Sequence, residues 1–194
     1  RRTAEAAVTA AAGRDARRSI QMRIRILFEK RGLFTFVNHM DLPVVFSRAA
    51  RRAGLVQEFT QGFSPHPRMS LASPLAIGVE GLAEPAEFWF DEWNEQSMNR
   101  WNEKLPEGLK ILKWAEADGP ALAKLADTAV YRISGAGKVL PEQAKEVLSA
   151  SAEELNALRS CEYKDGVITL TAGDPEHFGA GRFVKALSAA GVVE

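Results

Sequence analysis

Residues 22–54 read MRIRILFEKRGLFTFVNHMDLPVVFSRAARRAG, and two periodicities in succession within them decide the fold. MRIRILF alternates basic and apolar residues with a period of two. That predicts a half-buried strand with Ile24 and Ile26 on one face and Arg23 and Arg25 on the other. After a turn at Arg31–Gly32 the period lengthens. Leu42, Phe46, Ala49, Ala50 and Ala53 recur at three- and four-residue spacing, the pattern of a helix with one apolar stripe, and Gly54 supplies its stop. Asn38, three residues before Asp41, makes a capping-box-like start, and Pro43 falls in the first turn, where a missing N–H is harmless. Arg48, Arg51 and Arg52 take the side away from the stripe.

Outward from this strand and helix the alternation continues. LVQEFTQGF reads as a strand ending at Gly62, and RMSLASPLAIGVEG as a second extended run broken by Pro74 and Gly78. AEFWFDEW is a strand with Phe88 and Phe90 on one face, NEQSMNRWNEKL a short helix and LKILKWAEA a strand. The order strand, helix, strand, strand, helix, strand is the split βαβ, or ferredoxin-like, arrangement. A weaker copy follows: strand TAVYRISG, helix PEQAKEVLSA, a further short helix AEELNALRS, strands CEYK and VITLTAG around the hairpin signal Asp165–Gly166, and helix GRFVKALSAAG. The expected fold class is therefore α+β, with two tandem ferredoxin-like units and mainly antiparallel sheets. The first unit spans 22–117 and the second 118–194, with residues 117–127 as the joint. Residues 1–21, alanine-rich with arginines at both ends, read as a linker or the remnant of a preceding domain.

Composition narrows the function classes. The net charge of zero hides a basic half and an acidic half. Residues 22–72 hold eight basic and three acidic groups, whereas residues 73–194 hold twelve basic and twenty acidic ones. No apolar run approaches the roughly 20 residues that span a bilayer, and a cytoplasmic location is the expectation. The single cysteine, Cys161, excludes a disulfide framework or a multi-cysteine metal site in this chain. Phosphate-binding glycine loops, a G-x-S-x-G elbow and an H-E-x-x-H pair are all absent.

Candidate site residues gather in two places. In QGFSPHPRMS, residues 61–70, Ser64 and His66 each precede a proline and are pushed toward extended conformations, so the loop offers Ser64, His66 and Arg68 in a fixed presentation. Arg23, Arg25, Arg48, Arg51, Arg52 and Arg68 together make an anion-binding face, because guanidinium forks fit phosphate geometry. His39, Asp41 and His66 are the acid/base candidates for a stand-alone enzyme, with Ser64 and Arg68 around the same pocket. A docking or dimerisation module using the aromatic strand FWFDEW is a third reading. His177 reads as a loop residue, Cys161 as packing, and Trp89, Trp93, Trp101 and Trp114 as core or interface filling.

MRIRILFEKRGLFTFVNHMDL, then FSRAARRAGL, then QGFSPHPRMSLASPLAIGVEG carry a resemblance. The order of an Asn/Ser-His-x-Asp helix start, an arginine-rich helix and a G-F-x-P-x-P-R loop resembles the radical SAM-linked protein family, a domain of unknown function fused behind or encoded beside radical S-adenosylmethionine proteins. The match covers about Met22 to Trp93 in its specific motifs and the rest more loosely. Asn38 stands where serine is usual, and His66 occupies a position that varies between His and Arg. The resemblance implies a radical SAM partner that carries S-adenosylmethionine and an iron–sulfur cluster. It also implies an RNA-related role, through neighbouring RNA-processing and ribosomal proteins. A [4Fe–4S] site of that type needs three cysteines, so one cysteine leaves the chemistry to the partner. The expected function is a non-catalytic accessory domain that presents an anionic, RNA-type substrate.

Overall fold

The structure, a computed structural model, describes residues 22–134, 141–148, 156–175, 178 and 180–189. The first unit runs β1 (Met22–Lys30), α1 (Leu42–Arg52), β2 (Met69–Leu71), β3 (Gly81–Phe90), α2 (Glu95–Asn102) and β4 (Leu109–Glu116). Its antiparallel sheet has the order β2-β3-β1-β4, the split βαβ topology expected from the sequence.

β1 pairs Ile24 with Phe88 and Ile26 with Ala86 of β3, which puts the even-numbered residues of both strands on one face. That face is covered by α1 and α2. Ile24, Ile26, Phe88 and Phe90 are buried under Phe46, Ala49, Ala50 and Trp101. Phe46, Phe88 and Trp101 meet edge to face with centroids 4.9 to 5.7 Å apart, and the indole N–H of Trp101 donates to Phe46 O at 3.1 Å, satisfying the one polar atom that ring brings inside. Of the four tryptophans, Trp93 and Trp101 are core.

Local chemistry sets the element ends. Asn38 does cap, but it caps the 3-10 turn His39–Asp41 by accepting from Met40 N, and Asp41 precedes α1 without a side-chain cap bond. Asn94 and Ser97 form a reciprocal capping box at α2. LVQEFTQGF does not form the expected strand: only Gln57 with Phe90 and Phe59 with Pro67 make bridges. β2 stops at Leu71 because its next partner is Pro85. That residue accepts from Ala72 N through its carbonyl but has no N–H to return.

The second unit has β5 (Thr128–Ser134), α3 (Pro141–Leu148), β6 (Leu158–Lys164), β7 (Val167–Gly173) and α4 (Ala180–Ala189), with sheet order β5-β7-β6, all antiparallel. This repeats the β-α-β-β-α portion of the first unit in the same spatial order, with three strands among the described residues. Asp165 and Gly166 turn the β6–β7 hairpin at positive φ, 52° and 77°, as their sequence signalled. β6 begins at Leu158, three residues before the expected CEYK strand, so the end of AEELNALRS is strand; residues 151–155, residues 1–21 and His177 lie outside the described residues. Ile168, Leu170 and Ala172 form a separate small core with Phe178, Phe183 and Leu187. Cys161 packs at its margin, and burial raises its thiol pKa, which keeps it protonated and inert at neutral pH. Among the described residues no helix is long and apolar enough to cross a membrane.

Candidate functional site

The loop 57–68 is held as a small hairpin at the edge of the first sheet. Glu58 N donates to Trp89 O, Arg68 N to Glu58 O and Thr60 N to His66 O, at 2.7 to 2.9 Å. His66 is turned into this frame: its Nδ1 lies 3.1 Å from Thr60 Oγ1 and 3.3 Å from Ser64 O, and its N–H donates to Thr60 Oγ1. Gly62 takes φ 130°, a conformation open to glycine, and swings the chain so that Phe63 stands fully in solvent with Phe59 half exposed behind it. Arg68 is engaged twice, by Glu58 Oε2 at 3.1 Å and by the face of Trp89, 4.3 Å from its ring centroid.

The six arginines do not form one face. Arg23 and Arg25 project from β1 on the side opposite α1 and α2, where Arg23 lies across from Trp89 and Arg25 across from Glu87. Arg23 donates to Ala117 O and Gly119 O, and Arg25 to Pro120 O and, through Nε at 3.0 Å, to the fully buried Glu87. These two arginines hold the joint between the units against the sheet. They are structural, which corrects their expected place in an anion-binding surface. Arg48, Arg51 and Arg52 lie on the outer side of α1, across the whole thickness of the sheet and helix layer. Arg52 donates to Lys104 O at 2.7 Å; Arg48 and Arg51 are exposed and have no ion pair or side-chain hydrogen bond among the described residues.

The expected pocket of His39, Asp41, Ser64, His66 and Arg68 is likewise not assembled. His39 sits by Glu84 and Pro85 of β3, whereas the loop carrying His66 is anchored at Trp89, about 16 Å farther along the strand by its rise per residue. Asp41 is exposed. His39 instead belongs to a cleft that the sequence reading missed, lined by Phe28, Lys30, Leu42, Leu71 and Glu84 among others. Lys30 is 1% exposed and donates to Val37 O at 2.7 Å. Desolvation lowers the pKa of Lys30 and of His39, whose imidazole also faces the Lys30 charge; desolvation raises that of Glu84, against the opposing pull of Lys30. The signal was present in the sequence. Continuing the inward positions 24, 26, 28 and 90, 88, 86 by one more step lands on Lys30 and Glu84, two charged side chains on the core face. Among the described residues no group of His, Cys, Asp and Glu is arranged to hold a metal ion.

Two solved structures are similar in outline. The regulatory subunit of aspartate kinase from Thermus thermophilus, in its ligand-free form, is 13% identical over 88% of this chain and 91% of its own, with a TM-score of 0.28. An unknown protein from Galdieria sulphuraria is 13% identical over 87% and 91%, with a TM-score of 0.30. No curated protein matches the chain. The sequence model of one bacterial family matches residues 23–167, from the first arginine of β1 to the start of β7, and so takes in the split βαβ unit, the hairpin loop and the joint. The chain belongs to that family, described as an uncharacterized protein conserved in bacteria (DUF2344).

Proposed function

We propose that this chain is a non-catalytic accessory domain that binds an anionic, RNA-type substrate through the hairpin loop and the outer side of α1, and presents it to a radical SAM partner. The observation that carries the reading is Phe63: a large apolar ring wholly in water, at the tip of a loop whose backbone is tied down on both sides. A rigid, exposed aromatic is a stacking platform for an unpaired base, worth about 1–3 kcal/mol per base. α1 ends at Arg52, and its last turn leads through Gly54 directly into the loop. Arg48 and Arg51 therefore supply uncommitted guanidinium groups for the phosphates on the same stretch of chain. The radical SAM partner, with its S-adenosylmethionine and iron–sulfur cluster, rests on the sequence resemblance and on the single cysteine here, which cannot hold such a cluster. A ribosomal component as the RNA's source rests on the resemblance alone.

The test is fluorescence anisotropy of the full chain with a labelled single-stranded RNA between about 50 and 200 mM salt. Affinity should fall steeply with salt. Phe63→Ala should weaken it roughly 5- to 100-fold without changing thermal stability, since no core contact is lost. Arg48→Gln with Arg51→Gln should reduce the salt slope by about 2. Salt-insensitive binding, or Phe63→Ala binding as tightly as wild type, refutes the proposal.

A further inference from the structure

Large apolar side chains crowd one end of the first sheet, where β1 finishes. Leu33, Phe36, Met40, Val44 and Ile77 are each between 48% and 88% exposed. Three segments bring them together. Leu33 and Phe36 sit three residues apart in the 3-10 turn Gly32–Phe36, where side chains at that spacing eclipse. Gly78 N donates to Thr35 O at 3.0 Å, which ties the bend at Ile77 to that turn, and the Phe36 ring lies 3.9 Å from where a Cβ on Gly78 would stand. Met40 and Val44 are one helical turn apart, from the turn His39–Asp41 into α1. His39 and Leu42 from one side and Leu75 from the other line the Lys30 cleft, so the segments carrying Met40 and Ile77 flank the same mouth. At about 200 Å² for a whole side chain, these exposures set roughly 700 Å² in water, above the roughly 300–600 Å² of the largest patch on a typical monomer.

The rim of this patch is of mixed sign. Arg31 and Glu80 are about half exposed and only loosely paired, at 3.6 Å, and Asp41 is exposed. An anionic lipid surface gains no net attraction from such a rim, since surfaces that lie on membranes carry a basic one. A second copy does gain from it. We propose that this patch is a two-fold interface between two copies of this chain, apolar centre on apolar centre, with Arg31 of each facing Glu80 of the other. A two-fold contact requires one patch that complements itself, and a cation beside an anion at the edge of an apolar centre meets that requirement. With Arg31 and Glu80 added, the patch reaches the roughly 800 Å² per partner of a stable interface. The inference stands apart from the RNA reading. The patch lies before β3 begins at Gly81, the hairpin loop is anchored near its other end at Trp89, and both copies keep Phe63 free.

The experiment is sedimentation equilibrium of the full chain between about 1 and 100 μM. The average mass should rise with concentration toward twice that of the monomer. Phe36→Asp and Leu33→Asp should each raise the dimer dissociation constant at least about tenfold, as loss of a central interface residue does. Leu125→Asp, at an exposed apolar residue after the turn Leu122–Lys124, should leave it unchanged. Arg31→Glu and Glu80→Arg should each weaken association alone and regain it when mixed, a rescue that only a contact between copies gives. Thermal melts of the variants establish that they fold. A chain monomeric at about 100 μM, Phe36→Asp dimerising as tightly as wild type, no gain on mixing the two charge variants, or a monomer that floats instead with phosphatidylserine vesicles overturns the assignment.

Discussion

Glu87 is the most consequential acidic residue on the open face of the first sheet, and its removal has a magnitude that follows from its partners. Its side chain is 1% exposed, accepts two hydrogen bonds from Arg25 through Nε and Nη2, and a longer one from Leu122 N at 3.4 Å. Three segments meet at this carboxylate: β1, β3 and the joint. Removing one member of a buried, hydrogen-bonded ion pair costs about 3–5 kcal/mol, because the remaining charge stays buried without its partner. Arg25 is 27% exposed at its side chain and keeps its bond to Pro120 O, so it can rehydrate in part. Glu87→Leu should therefore fall at the low end, about 3 kcal/mol. Arg25→Met leaves the more deeply buried Glu87 unpaired and should cost at least as much. The double variant replaces both charges by apolar groups and loses only the long bonds from Arg25 to Pro120 O at 3.2 Å and from Leu122 N to Glu87 at 3.4 Å, about 1–2 kcal/mol each. Urea denaturation followed by tryptophan fluorescence reads the first unit alone, since Trp89, Trp93, Trp101 and Trp114 all lie in it. A double-mutant cycle with a coupling of at least about 2 kcal/mol is expected. Single-variant losses that add to within about 0.5 kcal/mol would show that the two side chains are independent, and would sink the argument that Arg25 is committed to structure.

Two further outcomes follow from single positions. Gly108 has φ +86°, and a Cβ there would stand within 2.4 Å of Arg31 O, the residue whose N–H bonds Gly108 O at 2.7 Å; Gly108→Ala should destabilise by about 2–5 kcal/mol, seen as a lower urea midpoint at unchanged slope. His39 binds its proton less readily folded than unfolded, so its contribution makes stability fall as pH drops below its ordinary value of 6.5. Glu84, which faces the same cleft and whose pKa is raised, contributes with the opposite sign, losing stability as pH rises above its ordinary 4.5. The difference between wild type and His39→Gln isolates the imidazole: the variant's stability should decline less between about pH 6.5 and 5, and identical pH profiles would rule the effect out.

How much of this was legible depends on whether the determinant was local. The alternation of MRIRILF and the stripe Leu42, Phe46, Ala49, Ala50 were enough for β1, α1 and their contact, because a strand and a helix each carry one apolar face and must join them. The same reasoning, carried through, separates the arginines. If Ile24 and Ile26 meet the stripe of α1, then Arg23 and Arg25 lie behind the sheet and Arg48 and Arg51 in front of the helix, with the core between them. Clustering along the sequence hid an opposition in space. The strand expected at LVQEFTQGF failed for a different reason: its propensity is adequate, but β3 is already paired at 86–88 by β2, and the end of β3 leaves room for only isolated bridges. What no local pattern could yield is the partner of Arg23 and Arg25, backbone carbonyls more than 90 residues away. Lys30 and Glu84 were within reach, at the next inward step of two strands already read correctly. A charged residue at a core register position either breaks the strand or marks a site, and here the strand continues through Lys30 to its last pairing with Gly81. The lysine is therefore tolerated inside the fold at a standing cost in desolvation. That cost is met in part by the bond from Lys30 to Val37 O and by the charge of Glu84, two partners that only the folded sheet brings to it.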